Sequence, residues 1–280
     1  MLDTLRELAQ NDLAGVMERN ASIDAMLQVG EHGREAVMCV YSGLSSSSVD
    51  LHVRSHVVRS VYGKGVGPDE LAALISDALN VDADLPFGTF WRLDEVIPDS
   101  DIVPILGRFN PPIEPSSADL NYGNNSDVVQ VVDSLICRAL SGESIPGPEM
   151  ILGWLDKRIR IGHHYHRESS TQLRNVLFEN RALMADITKC YLENCSPKGK
   201  PWRVVYDFER LMAGAADWTI ALQIASSSLR TEDPEHLPFY LEITFKLALQ
   251  VGPSAAAEFD SLLAMRDEPE FSEIVEQHAV

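Results

Sequence analysis

Apolar residues recur along this chain at three- and four-residue intervals, the spacing that gives a helix one buried stripe. The period is clearest between Ser169 and Gln250, where three amphipathic helices follow one another, each closed by a breaker. Leu173, Val176, Leu177, Leu183, Met184, Ile187 and Tyr191 mark the first; Trp218, Leu222, Ala225 and Leu229 the second; Leu237, Leu241, Phe245 and Ala248 the third. Stripes of this kind cannot stay out of water alone, so each helix has to pack on its neighbours.

The rest of the chain continues in the same texture. Asp3 is placed to cap a first helix with Leu5 and Leu8 inward, and further turns follow with Leu13, Val16 and Met17, then Ile23, Met26 and Leu27 up to Gly30. Arg34 to Tyr41 resumes the period, and Ser45 to Ser48 reads as a loop. Val49, Leu51 and Val53 alternate like a strand, whereas Val53, Val57, Val58, Val61 and Tyr62 fit a helix; length and helical neighbours favour the helix. Pro68 opens a helix over Asp69 to Leu79, with acids in its first turn. Helical turns are expected at Arg92 to Ile97 and Asp101 to Phe109, then helices from Asp127 to Leu140, Glu149 to Ile161 and Arg203 to Met212. The tail carries two more, around Ala255 to Met265 and Phe271 to Gln277.

Many short helices, brief links and no hairpin predict an all-α fold, an irregular HEAT-like helical-repeat solenoid of antiparallel helices. Prolines at 86, 98, 104, 111, 112 and 115 break the texture between Asp82 and Asn125. The expected organisation is therefore an N-terminal helical half over 1–109, an irregular connection over 110–125 and a C-terminal helical-repeat half over 126–280.

Charge narrows the function classes. The chain has 280 residues with 42 Asp and Glu against 23 Lys and Arg, a net charge of −19, which repels phosphate backbones and disfavours nucleic acid as a partner. No stretch approaches the ~18 apolar residues of a membrane span. The four cysteines form no C-x-x-C pair; Cys39 and Cys137 sit among apolar neighbours like small core residues, and reduced thiols in a cytoplasm are expected. No signal-peptide pattern opens the chain.

The run Phe208-Glu209-Arg210-Leu211, with Asp217-Trp218, Leu222, Phe239 and Phe245-Lys246-Leu247-Ala248, resembles the helical region that follows the nucleotide-binding domain in bacterial NACHT-type STAND ATPases. Leu173 to Phe178 looks like the helix before it, and Asp99 to Phe109 followed by Asp127 to Leu140 is loosely similar, so the likeness covers about residues 85 to 250. The family's phosphate loop ends Gly-Lys-Ser or Gly-Lys-Thr. Here Tyr62-Gly63-Lys64-Gly65-Val66 has neither the hydroxyl nor the upstream glycine. The resemblance thus implies a sensor or scaffold part of a defence system, without ATP.

Candidate chemistry is sparse. His163, His164 and His166 cluster as weak metal candidates, but adjacent histidines point different ways, and a loop or helix-start cluster is the stronger reading. His52 and His56 share a helix face at metalloprotease spacing without the glutamate that should follow the first. Arg54 and Arg59 suggest a polar face there instead. Lys157, Arg158 and Arg160, with Arg167, form the one concentration of positive charge; they are candidates for an acidic partner, or for pairing with surplus carboxylates at a helix C-terminus. Trp202 and Trp218 flank an amphipathic helix and read as core anchors. No catalytic or cofactor residue is assigned. The expected function is a non-enzymatic module that recognises an unidentified protein; the alternative is a metal-dependent enzyme built on the histidines.

Overall fold

The computed structural model describes residues 1–81, 85–86, 88–111, 124–161, 168–195, 200–229, 236–265 and 272. The fold is all-α: among these residues there are fourteen α-helices and two short 3-10 turns, and the one β-bridge, Tyr62 to Val66, is isolated. Helices α1 to α7 run Leu2–Gln10, Val16–Leu27, Glu31–Gly43, Ser48–Val61, Pro68–Asn80, Asp99–Arg108 and Asn124–Ser141. Helices α8 to α14 run Pro148–Ile161, Glu168–Glu179, Arg181–Cys195, Pro201–Leu211, Trp218–Ser228, Leu237–Val251 and Ala256–Ala264. None of the described helices is long and apolar enough to cross a membrane.

The chain forms two compact units. The first holds Met1–Ile145 and Lys157–Ser170, the second Pro146–Asp156 and Thr171–Val280. One boundary falls after Ile145, with α7, which packs on α5 and α6, grouped with the residues before it; the others fall within α8, after Asp156, and within α9, after Ser170. Most of the connection expected over 110–125 lies outside the described residues, as do most of the residues of the last expected helix, 271–277.

In the first unit helices pack on their next and next-but-one neighbours: α1 on α2 and α3, α2 on α3 and α4, α5 on α6 and α7. Local chemistry sets the boundaries. Ser47 caps α4 by accepting the Asp50 N–H at 3.2 Å, which settles 48–61 as helix. Pro68 stands in the first turn of α5, and the Gly67 N–H donates to Glu70 Oε2 at 2.9 Å. The closest backbone approach is at Gly33: a Cβ there would stand 1.8 Å from the Met26 carbonyl oxygen, so only glycine lets α3 lie against the end of α2.

Charged residues join this core. Arg19 is buried; its Nε–H donates to the Ala9 carbonyl at 2.8 Å and its Nη2 to Asp50 Oδ1 at 2.6 Å. The Ser45 N–H and hydroxyl donate to the other Asp50 oxygen at 2.9 and 2.6 Å. Burial pushes the Asp50 carboxyl up, but Ser45 and Arg19 together outweigh it and hold it below its usual value.

Several positions differ from expectation. The first helix starts at Leu2 with no side-chain cap, and it buries Ala9 while Leu8 stays exposed. Leu13 lies in the turn before α2, and Met17 falls outside the stripe of Arg19, Ile23 and Met26, so both are exposed. Cys39 is exposed rather than in the core, whereas Cys137 is buried. Arg54 is buried instead of solvated, bonded to Asp77 at 2.6 Å.

In the second unit α10 packs on α11 and α12, and α13 packs on α11, α12 and α14. Leu241, Phe245 and Leu262 form an apolar cluster at the α13–α14 contact. Asp217 caps α12, accepting the Thr219 and Ile220 N–H groups at 3.0 and 3.1 Å. Phe208 of α11 stacks on Tyr191 and meets Trp218 edge-on, with ring centroids 5.2 and 6.0 Å apart.

Candidate interaction surface

Of the basic segment, Arg158 is part of the first unit's interior. Arg158 is 1% exposed and Asp133 fully buried. Arg158 Nε–H donates to Asp133 Oδ1 at 2.7 Å and Nη2 to Oδ2 at 3.2 Å, the two-pronged pairing that suits a guanidinium and a carboxylate. The Ser170 hydroxyl donates to Asp133 Oδ2 and accepts from Arg158 Nη2, both at 2.9 Å. Lys157 donates to the Leu106 and Gly107 carbonyls at 3.2 and 2.7 Å, closing the C-terminal end of α6, and stands 5.1 Å over the Phe109 ring. Arg158 is therefore withdrawn from any partner, and the half-buried Lys157 is engaged by α6. Arg160 is half-buried. Arg167, with His163, His164 and His166, lies outside the described residues.

The paired histidines of α4 have separate partners. His52 Nδ1 lies 2.9 Å from Thr89 Oγ1, and His56 Nε2 lies 2.8 Å from Asp24 Oδ1. The Thr89 hydroxyl already donates to the Pro86 carbonyl at 2.6 Å, so it accepts from His52 Nδ1–H. Among the described residues no group of three His, Cys, Asp or Glu side chains is arranged to hold a metal ion. Nor is any perturbed thiol activated. Burial pushes Cys137 up to about 12 and raises Cys190 and Cys195, the reverse of what a nucleophile requires.

Two large aromatic side chains face outward together on α11. Its inner face, Val204, Val205, Phe208 and Leu211, is buried. On the other face Trp202 is 61% and Tyr206 58% exposed, four residues apart and so one turn apart on one side. Trp202 is thus no core anchor; Trp218 is half-buried against Phe208. The Arg210 guanidinium stands 5.5 Å over the Tyr206 ring. Arg203 is exposed and bonds Asp207 at 3.2 Å, and Arg210 reaches the same carboxylate at 3.8 Å. The signal for this face was present in the sequence: Trp202 and Tyr206 are out of phase with the Val204, Phe208 and Leu211 stripe.

Comparison with protein-family models, with curated proteins and with solved structures finds no match to the chain.

Proposed function

We propose that this chain is a non-enzymatic helical module that recognises another protein, and that the outer face of α11 is where it does so. The observation that carries the reading is the Trp202–Tyr206 pair, more than half exposed on a helix whose opposite face is buried. Trp, Tyr and Arg dominate the energetic centres of protein interfaces because they bury large rigid surfaces at little entropic cost. All three types meet here. Leaving two aromatic rings in water gains nothing for folding, so their use lies in what covers them.

A narrower form of the proposal makes the module the sensor or scaffold part of a STAND-type defence system working in the cytoplasm. Its support is the Asp217-Trp218 start of α12, with the polar link and α13 after it, the texture on which the family resemblance rests.

The test is affinity capture from an extract of the source cells, comparing the native chain with a Trp202→Ser/Tyr206→Ser variant. A polypeptide retained by the first and lost by the second is expected. A capture pattern indifferent to the substitutions, together with turnover of ATP or a common hydrolase substrate by the purified chain, would reject the proposal.

A further inference from the structure

We infer that the partner presents to α11 a short acidic segment carrying an apolar side chain; this rests on the protein-recognition reading of the same face. Against a chain of net charge −19, residues 194–206 hold Lys198, Lys200 and Arg203 and no acid at all. Lys200 and Arg203, at the start of α11, are exposed. Arg203 and Arg210 are seven residues apart on the helix, hence on one flank of the aromatic pair and roughly 10 Å apart along the axis.

Asp207 lies between these two arginines and engages both. Arg203 is largely exposed, and its pair with Asp207 is weak and exchanges readily with other carboxylates. Asp207 therefore occupies, within the chain, the place an incoming carboxylate would take. The partner's acids meet Arg203 and Arg210 while an aliphatic or aromatic side chain lies on Trp202 and Tyr206. A nucleic-acid strand fits less well. Phosphate binding draws on a continuous row of cations that displaces counterions, and here Asp207 and Glu209 interrupt the row. The segment is short because a large acidic body would be repelled by the rest of the surface.

A random dodecapeptide display library, selected on the full chain and counter-selected on the Trp202→Ser/Tyr206→Ser variant, reads out the partner's chemistry. Circular dichroism confirms that the variant is folded. Enriched peptides are then synthesised and titrated by fluorescence anisotropy. The expected peptides are acidic and carry at least one large apolar residue. Arg203→Glu weakens them about tenfold, Asp207→Asn tightens them several-fold by freeing Arg203, and added salt weakens them. Neutral or basic peptides that depend on the aromatic pair overturn the acidic partner and leave the protein-recognition reading standing. Peptides that never discriminate native from variant chain overturn both. A labelled single-stranded uridine oligonucleotide bound at this face, and lost in the variant, overturns the inference in favour of nucleic acid.

Discussion

The first unit hides an arginine and the second displays a tryptophan, and each does so against the habit of its residue type. Arg158 lies in the same buried stripe of α8 as Ile151, Trp154, Leu155 and Ile161. Asp133 holds the matching place in α7 beside Val129, Val132 and Ile136. Two opposite charges at stripe positions neutralise one another, and the Ser170 hydroxyl bonds to both. Trp202 and Tyr206 stand off the stripe of α11 and stay in water. Phase along the helix, more than residue type, decides what is inside. One region spends its polar chemistry on folding; the other keeps its aromatic surface available.

The sharpest way to break this comparison is Arg158→Met. A buried carboxylate robbed of its guanidinium costs about 3–5 kcal/mol, so urea unfolding should show a loss of that size. The double variant Asp133→Leu/Arg158→Met should recover most of it, because two apolar side chains in a closed core leave no charge unpaired. A single-variant loss within about 0.5 kcal/mol, the range of ordinary surface substitutions, would show that the pair is not a structural element.

Next in size is Gly33→Ala. Gly33 is the third residue of α3, and within a helix alanine ordinarily gains up to about 1 kcal/mol over glycine. Here its methyl would collide with the Met26 carbonyl, and α2 and α3 would have to part. A net destabilisation of about 1–3 kcal/mol is expected, measured as a lower urea midpoint. A stabilised variant would mean that the two helices are not in close contact.

A smaller effect follows from His52. Burial lowers its pKa, and Arg59 and His56 lower it further. The folded chain therefore binds the proton less readily than the unfolded one, whose histidine titrates near ~6.5. Stability is complete above that pH and falls as the pH drops towards the folded value. His52→Asn keeps a donor for Thr89 but cannot titrate, so the decline in thermal midpoint between about pH 6.5 and 5 should be shallower than in the native chain. Equal slopes would remove His52 from the acid response.

Much of the fold was legible because it rests on periodicity. The stripes around Leu71, Leu74 and Ile75, or Leu241 and Phe245, placed their helices and their buried faces. What escaped was pairing at a distance. Pairing with some carboxylate was expected for this segment, but nothing local says that Arg158 meets Asp133 across 25 residues. Leu13 and Met17 were misplaced for different reasons: Leu13 precedes α2, which begins only at Val16, and Met17 lies in α2 but off its buried stripe. Trp202 was misplaced because residue type was weighed above phase.

The smallest expected effect on stability is therefore the most telling one for function. Trp202→Ser and Tyr206→Ser remove two large side chains that the fold leaves more than half in water, so they should shift unfolding free energy by no more than about 0.5 kcal/mol each. On the function proposed above, a partner's hold should collapse at the same time, since truncating a central aromatic commonly costs an interface about 2 kcal/mol or more. Arg158→Met sets the contrast, with a large loss of stability and, where the chain stays folded, unchanged affinity at α11. Stability lost on truncating Trp202 to the extent seen for a core residue would place the ring inside the fold and dissolve the distinction between the two regions.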